Sequence, residues 1–404
     1  MRTPVPHSGA ASPCPITSCV HPTAQGMRYL FLLAVLLIGY GSLYPFEFRG
    51  EYLPFRVLFE SRPASPGDVF QNFALFLPFG YLGMVAWRRP PRPLLFLILV
   101  ASAAIYSTAL QVAQLCVPGR DPSLRDVVLN ALGAAAGALV GVMPLFDVRR
   151  IGARARAAPW VLIGLWLAYR LSPFAPSIDL QEWKESVKPL VAWRPFPWTG
   201  VLHDAAAWLG VACLWAAAPA GRFSVRWLWA LALATLGLEV AIVDNVVFPA
   251  NAVGALAGSA LAACLGRRPA AVAALLAAAI AVTGLAPLGT GAPQGFQWVP
   301  FGGFLHGSML VNAQNFFEKA FLYGTLVWLL REAGLGLAVA TLGTSALLAG
   351  IEALQTRVAG HTPEVTDPLL ALLAALFLAV ADRPCPPEAR NPLESGDERR
   401  KEDL

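Results

Sequence analysis

Charge is what this sequence has little of. Aspartate, glutamate, lysine and arginine make up 14% of its 404 residues, where a soluble domain carries about 25%. So few charges cannot cover a water-facing surface. A cysteine framework is also missing: Cys14, Cys19, Cys116, Cys213, Cys264 and Cys385 are scattered, several of them in apolar runs, which leaves no disulfide pattern or zinc spacing to read. There is no G-x-S-x-G, no paired His-Glu zinc motif and no phosphate-cradling glycine loop. No cofactor is implied. The formal net charge of +5 is modest and sits in short arginine clusters, an arrangement that suits membrane orientation and argues against nucleic acid as a partner.

What is present is hydrophobicity, at 56% of the chain. A span of roughly 30 Å of hydrocarbon needs about 20 residues, and lipid leaves only the helix to satisfy a spanning backbone of this kind. The apolar runs predict twelve helical spans: 28–45, 69–87, 94–115, 127–146, 157–172, 203–218, 225–243, 246–265, 270–287, 316–331, 335–355 and 367–382. The expected fold is all-α and polytopic.

Basic residues in short loops set orientation. Arg88, Arg89 and Arg92 follow the second span, and Arg149, Arg150, Arg154 and Arg156 the fourth. Arg222 and Arg226 follow the sixth, Arg267 and Arg268 the eighth, Arg331 the tenth and Arg383 the twelfth. With twelve spans all of these fall on one side. That predicts cytoplasmic N- and C-termini in the inner (cytoplasmic) membrane. Residues 1–26 are rich in Pro, Ser and Thr, with Arg2 the only lysine or arginine, a poor match to a cleavable signal peptide. They read as a cytoplasmic tail, or else Met27 is the true start. Cys14, Cys19, His7 and His21 are the only metal-ligand types there and make a weak site. Residues 385–404 read as a charged cytoplasmic tail.

The chain repeats itself. The first, fifth and ninth spans end in "YPF" at Tyr44, "SPF" at Ser172 and "APL" at Ala286. Each leads into an aromatic- and proline-rich segment, then a helix, an arginine loop and a closing pair of helices. "NALGAAAG" from Asn130 returns as "NAVGALAG" from Asn251. "VPGRDPSLRD" from Val117 returns in worn form as "VAGHTPEVTD" from Val358. The reading is three parallel four-helix units, at 27–150, 151–268 and 269–384.

The few ionic and amide side chains gather at the predicted outer ends. The first unit offers Asp68, Asn72, Gln111, Gln114, Arg120, Arg125, Asp126 and Asn130. The third offers Glu352, Gln355, His361, Glu364 and Asp367, pairing Gln111 with Glu352, Gln114 with Gln355, Gly119 with Gly360, Arg120 with His361 and Asp126 with Asp367. The second keeps Glu239 at the Gln111 place and lacks the Pro-Gly loop.

On these residues, together with the "PFG" at Pro78, Ser123, Gly133 and Gly137, the first unit resembles the VanZ-like family, small bacterial membrane proteins named after a teicoplanin-resistance accessory protein. Family members usually carry an acid at the Gln111 place. The third unit resembles the same pattern but has His361 in place of the arginine and Ala371 in place of the asparagine. The resemblance implies an envelope membrane protein with a part in glycopeptide response, and it names no reaction.

Plainer roles compete for each residue. Asp68, Asp126 and Asp367 each stand where a helix N-cap is expected, Asp367 with Pro368 behind it. Asn130 and Asn251 suit interhelical hydrogen bonds, and the Gly-xxx-Gly pairs suit close helix contact. Arg120 suits either an ion pair with Asp126 or an anionic ligand at headgroup level. Lys319 is expected to snorkel outward and Glu318 to reach a lysine or arginine of another unit. His361, Glu364 and Asp367 have metal-ligand spacing, against which Pro363 and the loop context count. Three functions follow: contact of the outer polar face with membrane lipids, either anionic or lipid-linked envelope precursors; a membrane enzyme on such a lipid; or a secondary transporter. Polar residues at the ends rather than the midplane favour the first. The sequence leaves oligomeric state open.

Overall fold

The computed structural model describes residues 24–381 apart from 49, 51–52, 61–65, 88, 144–156, 194, 219–224, 288, 290 and 306–308. Most of the N-terminal tail with its cysteines and histidines, the C-terminal tail, and Arg88, Arg149, Arg150, Arg154, Arg156, Arg222 and Arg383 lie outside the described residues. Among the described residues all regular structure is helical, and no strand occurs.

A helix stands at each of the twelve apolar runs. The first set is α1 (Ala24–Leu43), α2 (Pro66–Ala86), α3 (Arg92–Gln114) and α4 (Leu124–Val142). α5 (Ala157–Leu171), α6 (Leu180–Val191), α7 (Trp198–Ala217), α8 (Val225–Val240) and α9 (Pro249–Leu265) follow. α10 (Pro269–Gly284), the single turn α11 (Gly302–Leu305), α12 (Met309–Glu332), α13 (Leu337–Gln355) and α14 (Thr366–Ala381) complete the chain. Six of these, α1 to α4, α7 and α13, are long and apolar enough to cross a membrane; α5, α9, α10 and α14 are apolar and shorter.

α6 has no counterpart among the predicted spans. Its sequence, LQEWKESVKPLV, exposes Glu182, Lys184, Glu185 and Lys188 and buries Ser186 and Pro189. Asp179 caps it, accepting from the Gln181 amide at 2.8 Å. Too polar to read as a span, it stays hidden in the proline-rich stretch between α5 and α7.

Two cores hold the helices. Ile38, Phe76, Phe79, Leu99, Ala103 and Ala134 make a core from α1 to α4 alone. A larger core, around Trp166, Trp208, Leu276, Phe321 and Leu348, runs from α5 to α14. Within it α5 packs most heavily against α12, and α10 against α7. A small seam of Met27, Val85, Ala86 and Val380 joins the two. Glycine sets the tightest approaches: a Cβ at Gly133 would lie 2.0 Å from the Phe73 carbonyl oxygen, and one at Gly254 would lie 2.4 Å from the Asp204 Cβ. These close the α2–α4 and α7–α9 pairs, as small-residue interfaces do.

The two ends of the bundle differ in chemistry. At one, Arg28 lies over the Trp87 ring at 5.7 Å and Arg92 donates to the Met84 carbonyl. At the other, the last turn of α1 meets the segment before α11, where the Tyr40 hydroxyl donates to the Pro300 carbonyl at 2.7 Å. There too Gln314 of α12 donates to the Ser172 carbonyl after α5 at 3.2 Å. This second end carries the candidate site residues.

Candidate functional site at the polar end

In the first four helices the charged loop is sewn onto the end of α1. Gln114 Nε2 donates to the Ser42 carbonyl at 2.7 Å, and Gln111 Oε1 accepts from the Ser123 amide at 2.9 Å. The turn between them needs Gly119 at φ +74°. Arg120 sends Nε to the Tyr44 carbonyl and Nη2 to the Gly41 carbonyl, both at 2.9 Å. It thereby satisfies carbonyls that a helix C-terminus leaves without partners and complements the negative end of the helix dipole. Burial lowers the Arg120 pKa and the nearby Tyr44 opposes that shift; a guanidinium keeps its charge at neutral pH regardless. The expected Arg120–Asp126 ion pair is replaced by these carbonyl contacts.

Asp126 is not the N-cap of α4. Ser123 is, its hydroxyl accepting from the Asp126 amide at 3.3 Å. The Asp126 carboxylate stands in the first turn, 3.8 Å from Arg125 Nε and within electrostatic reach of Asp68. Asn72 Nδ2 donates to the Asp68 carbonyl at 3.0 Å. Asn130, buried one turn further in, donates to Ser107 Oγ at 2.7 Å and ties α4 to α3.

The last helices repeat these contacts. Gln355 Nε2 donates to the Gly284 carbonyl at 2.7 Å, and Glu352 Oε2 accepts from the Glu364 amide at 2.7 Å. Gly360 adopts φ +82°. His361 Nε2 lies 2.9 Å from the Ala286 carbonyl, where Arg120 meets Tyr44. Asp367 has a different job from the cap expected of it. Lys319 Nζ and the Tyr323 hydroxyl each donate to its carboxylate, at 2.6 Å. Lys319 therefore turns inward instead of snorkelling, because α14 brings a carboxylate to it. Among the described residues no group of three His, Cys, Asp or Glu side chains is placed to hold a metal ion.

Between these sets lies a buried ion cluster. Arg170 Nη2 donates to Glu239 at 2.9 Å, its Nε donates to the same carboxylate, and its Nη1 meets Asp204 at 3.0 Å. Trp166 covers the guanidinium at 5.5 Å. Asp204 also accepts from Asn251 Nδ2 at 2.8 Å, and Asn245 Nδ2 donates to the Arg170 carbonyl at 3.0 Å. His203 stands beside Asp204 and places Nε2 2.9 Å from Glu318 of α12. Glu318, expected to reach a lysine or arginine, meets a histidine instead, which α7 brings to it.

Beside this cluster an open cavity of about 510 Å³ lies between α7, α10, α12 and α13. Glu352, Gln355, His361 and Asp367 all line it, together with His203, Glu318, Lys319, Tyr323 and Glu364. The first-unit residues stand apart, around the α4 start and the α1 end.

Residues 22–146 match the VanZ/LLP1 family. The matched VanZ/LLP1 region takes in α1 to α4, with Gln111, Arg120, Asp126 and Asn130 inside it. No curated protein matches the chain. No solved structure matches it either. A VanZ-like domain together with six helices able to cross a membrane makes this a multi-pass membrane protein.

Sequence reasoning passed over Arg170, His203, Asp204 and Tyr323. A signal for one of them was there: Arg170 interrupts the apolar run WVLIGLWLAYRL, and an arginine in such a helix demands an acidic partner. The partners, 34 and 69 residues away, carry no mark that assigns them.

Proposed function

We propose that this is an inner-membrane protein of the bacterial envelope, built of three related four-helix units with twelve spans and both termini in the cytoplasm. Its extracytoplasmic polar end contacts membrane lipids, either anionic headgroups or lipid-linked envelope precursors, in the setting of envelope or glycopeptide response. The observation that carries the contact reading is Arg125, 41% exposed in the first turn of α4 at that end, where a cation and a helix N-terminus can meet an anionic headgroup.

The three-unit reading is supported by one contact made three times. An amide side chain donates to a carbonyl near the end of the leading helix: Gln114 to Ser42, Asn245 to Arg170, Gln355 to Gly284. Each acceptor stands three residues before Pro45, Pro173 and Pro287 respectively. The second and third units exchange partners in space, since α5 packs on α12 and α10 on α7. A transporter wants ionisable groups at the midplane; Arg170, Glu239, Glu352 and Asp367 each lie within about two turns of a helix end at the polar side.

Native mass spectrometry of the full chain, exchanged into mixed phosphatidylglycerol and phosphatidylcholine micelles, tests the lipid contact. Phosphatidylglycerol is expected to be retained preferentially by the wild type and less by Arg125→Gln. Equal retention of both lipids by both proteins contradicts the reading.

A further inference from the structure

We propose that α6 is an interfacial helix, lying along the membrane surface at the polar end with one apolar stripe set among the lipid chains. A helix turns about 100° per residue, so residues three, four and seven apart share a face. On α6 that rule separates three stripes. Ser186, Pro189 and Leu190 face the protein: Ser186 and Pro189 are buried, and the Ser186 carbonyl accepts from the Val247 amide at 3.0 Å. Gln181, Lys184, Glu185 and Lys188 form an exposed polar stripe. Leu180, Trp183, Val187 and Val191 form the third, an apolar stripe with Leu180 64% and Val191 80% exposed. Charges beside the stripe keep the helix out of the hydrocarbon, and so large an exposed apolar face is costly in water. The boundary between the two suits every stripe at once.

The attachments of α6 set its depth. It ends at Val191, and α7, long and apolar enough to cross a membrane, begins soon after at Trp198. On its other side the approach from α5 is pinned to the end of α8. There the Ser177 amide donates to the Ala241 carbonyl at 2.8 Å, and the Val243 amide to the Ala175 carbonyl at 3.0 Å. The helix is therefore held level with the ends of the apolar helices. Trp193 and Trp198, 60% and 61% exposed, stand at the same level, where aromatic side chains gather in membrane proteins. Trp183 has its Nε1 tied to the Ser177 carbonyl at 2.9 Å, so its ring is free for the stripe while its polar edge is satisfied. The chemistry of the partner follows from charge. Glu182 and Glu185 cancel Lys184 and Lys188, and Lys188 is bound to Glu185 at 3.0 Å. With no net charge, α6 recognises the lipid interface through its chains and not through an anionic headgroup, unlike Arg125.

Nitroxide labels on the full chain, freed of its native cysteines and held in phosphatidylcholine nanodiscs, test the placement. Labels at Leu180→Cys and Val191→Cys are expected to meet oxygen and to be shielded several-fold from a water-soluble nickel chelate, relative to labels at Gln181→Cys and Glu185→Cys. Adding phosphatidylglycerol should leave that contrast unchanged. Equal access of the chelate to all four positions puts α6 in water and overturns the proposal. Shielding found only in discs that hold two chains assigns the stripe to a second copy and overturns it too, as does a contrast that needs phosphatidylglycerol. Hydroxyl-radical footprinting of the unaltered chain in the same discs repeats the comparison without any substitution: Leu180 and Val191 should be protected, and their free oxidation contradicts the proposal. Failure here leaves the lipid contact at Arg125 standing, because that contact is read from retention of phosphatidylglycerol.

Discussion

Arg120 closes the first bundle by donating from Nε to the carbonyl of Tyr44, 2.9 Å away and 76 residues earlier in the chain. The same fork holds Gly41. The charged loop after α3 is thus a strap across the end of α1, and this gives its arginine a structural task before any ligand is considered.

Replacing Arg120 tests that strap. Arg120→Ala removes two charge-assisted hydrogen bonds and strands two helix-end carbonyls, at a cost of about 2 to 4 kcal/mol. Arg120→Lys recovers only part, because an ammonium lacks the fork. Thermal unfolding in detergent should rank wild type above Arg120→Lys above Arg120→Ala. Coincident midpoints would remove the strap from the account.

The α2–α4 contact depends on missing side chains. A Cβ at Gly137 would lie 2.0 Å from the Leu77 carbonyl oxygen, and one at Gly80 1.8 Å from the Ala134 carbonyl oxygen. Backbone cannot yield as a side-chain tip can. Gly137→Ala should therefore cost about 3 kcal/mol, whereas Gly343→Ala, with open space around it, should be neutral or stabilising. Denaturant or thermal curves on the two variants check the contrast.

Arg170 sits 6% exposed between Asp204 and Glu239. Arg170→Met leaves two buried carboxylates without their cation, and about 3 to 5 kcal/mol is expected to be lost. The triple change Arg170→Met, Asp204→Asn, Glu239→Gln should recover most of it, since amides keep the hydrogen-bonding shape without charge. Failure of the triple variant to regain stability over the single one would show that the cluster is not a charge-balanced unit.

Much of this was legible in the sequence, and the reasons differ by feature. Apolar runs mark helices because lipid and core demand the same side chains, so a helix stands at every predicted span. Gly133 and Gly137 announce a close contact by their spacing. The worn repeat sets Gln111 opposite Glu352 in the alignment of the two segments, and each accepts one backbone amide, from Ser123 and Glu364 respectively. Cap assignment was ambiguous in principle: Ser123 and Asp126 both cap helices well, and only the observed start at Leu124 decides between them. Lys319 looked like a surface lysine because its partner Asp367 is 48 residues distant. The packing of α5 on α12 and of α10 on α7 left no trace, because periodicity gives the buried face of a helix and not the helix that covers it.

The central claim is that three four-helix units present their polar ends on one side of the membrane, away from the arginine clusters. Impermeant maleimide labelling of single-cysteine variants in intact cells tests it most directly. Asp121→Cys, Lys184→Cys and Thr362→Cys, one at the polar end of each unit and all exposed, should react from outside. Arg268→Cys, at the basic end, should react only after permeabilisation. Labelling of Asp121→Cys and Thr362→Cys from opposite sides, or of Arg268→Cys from outside, would contradict the account.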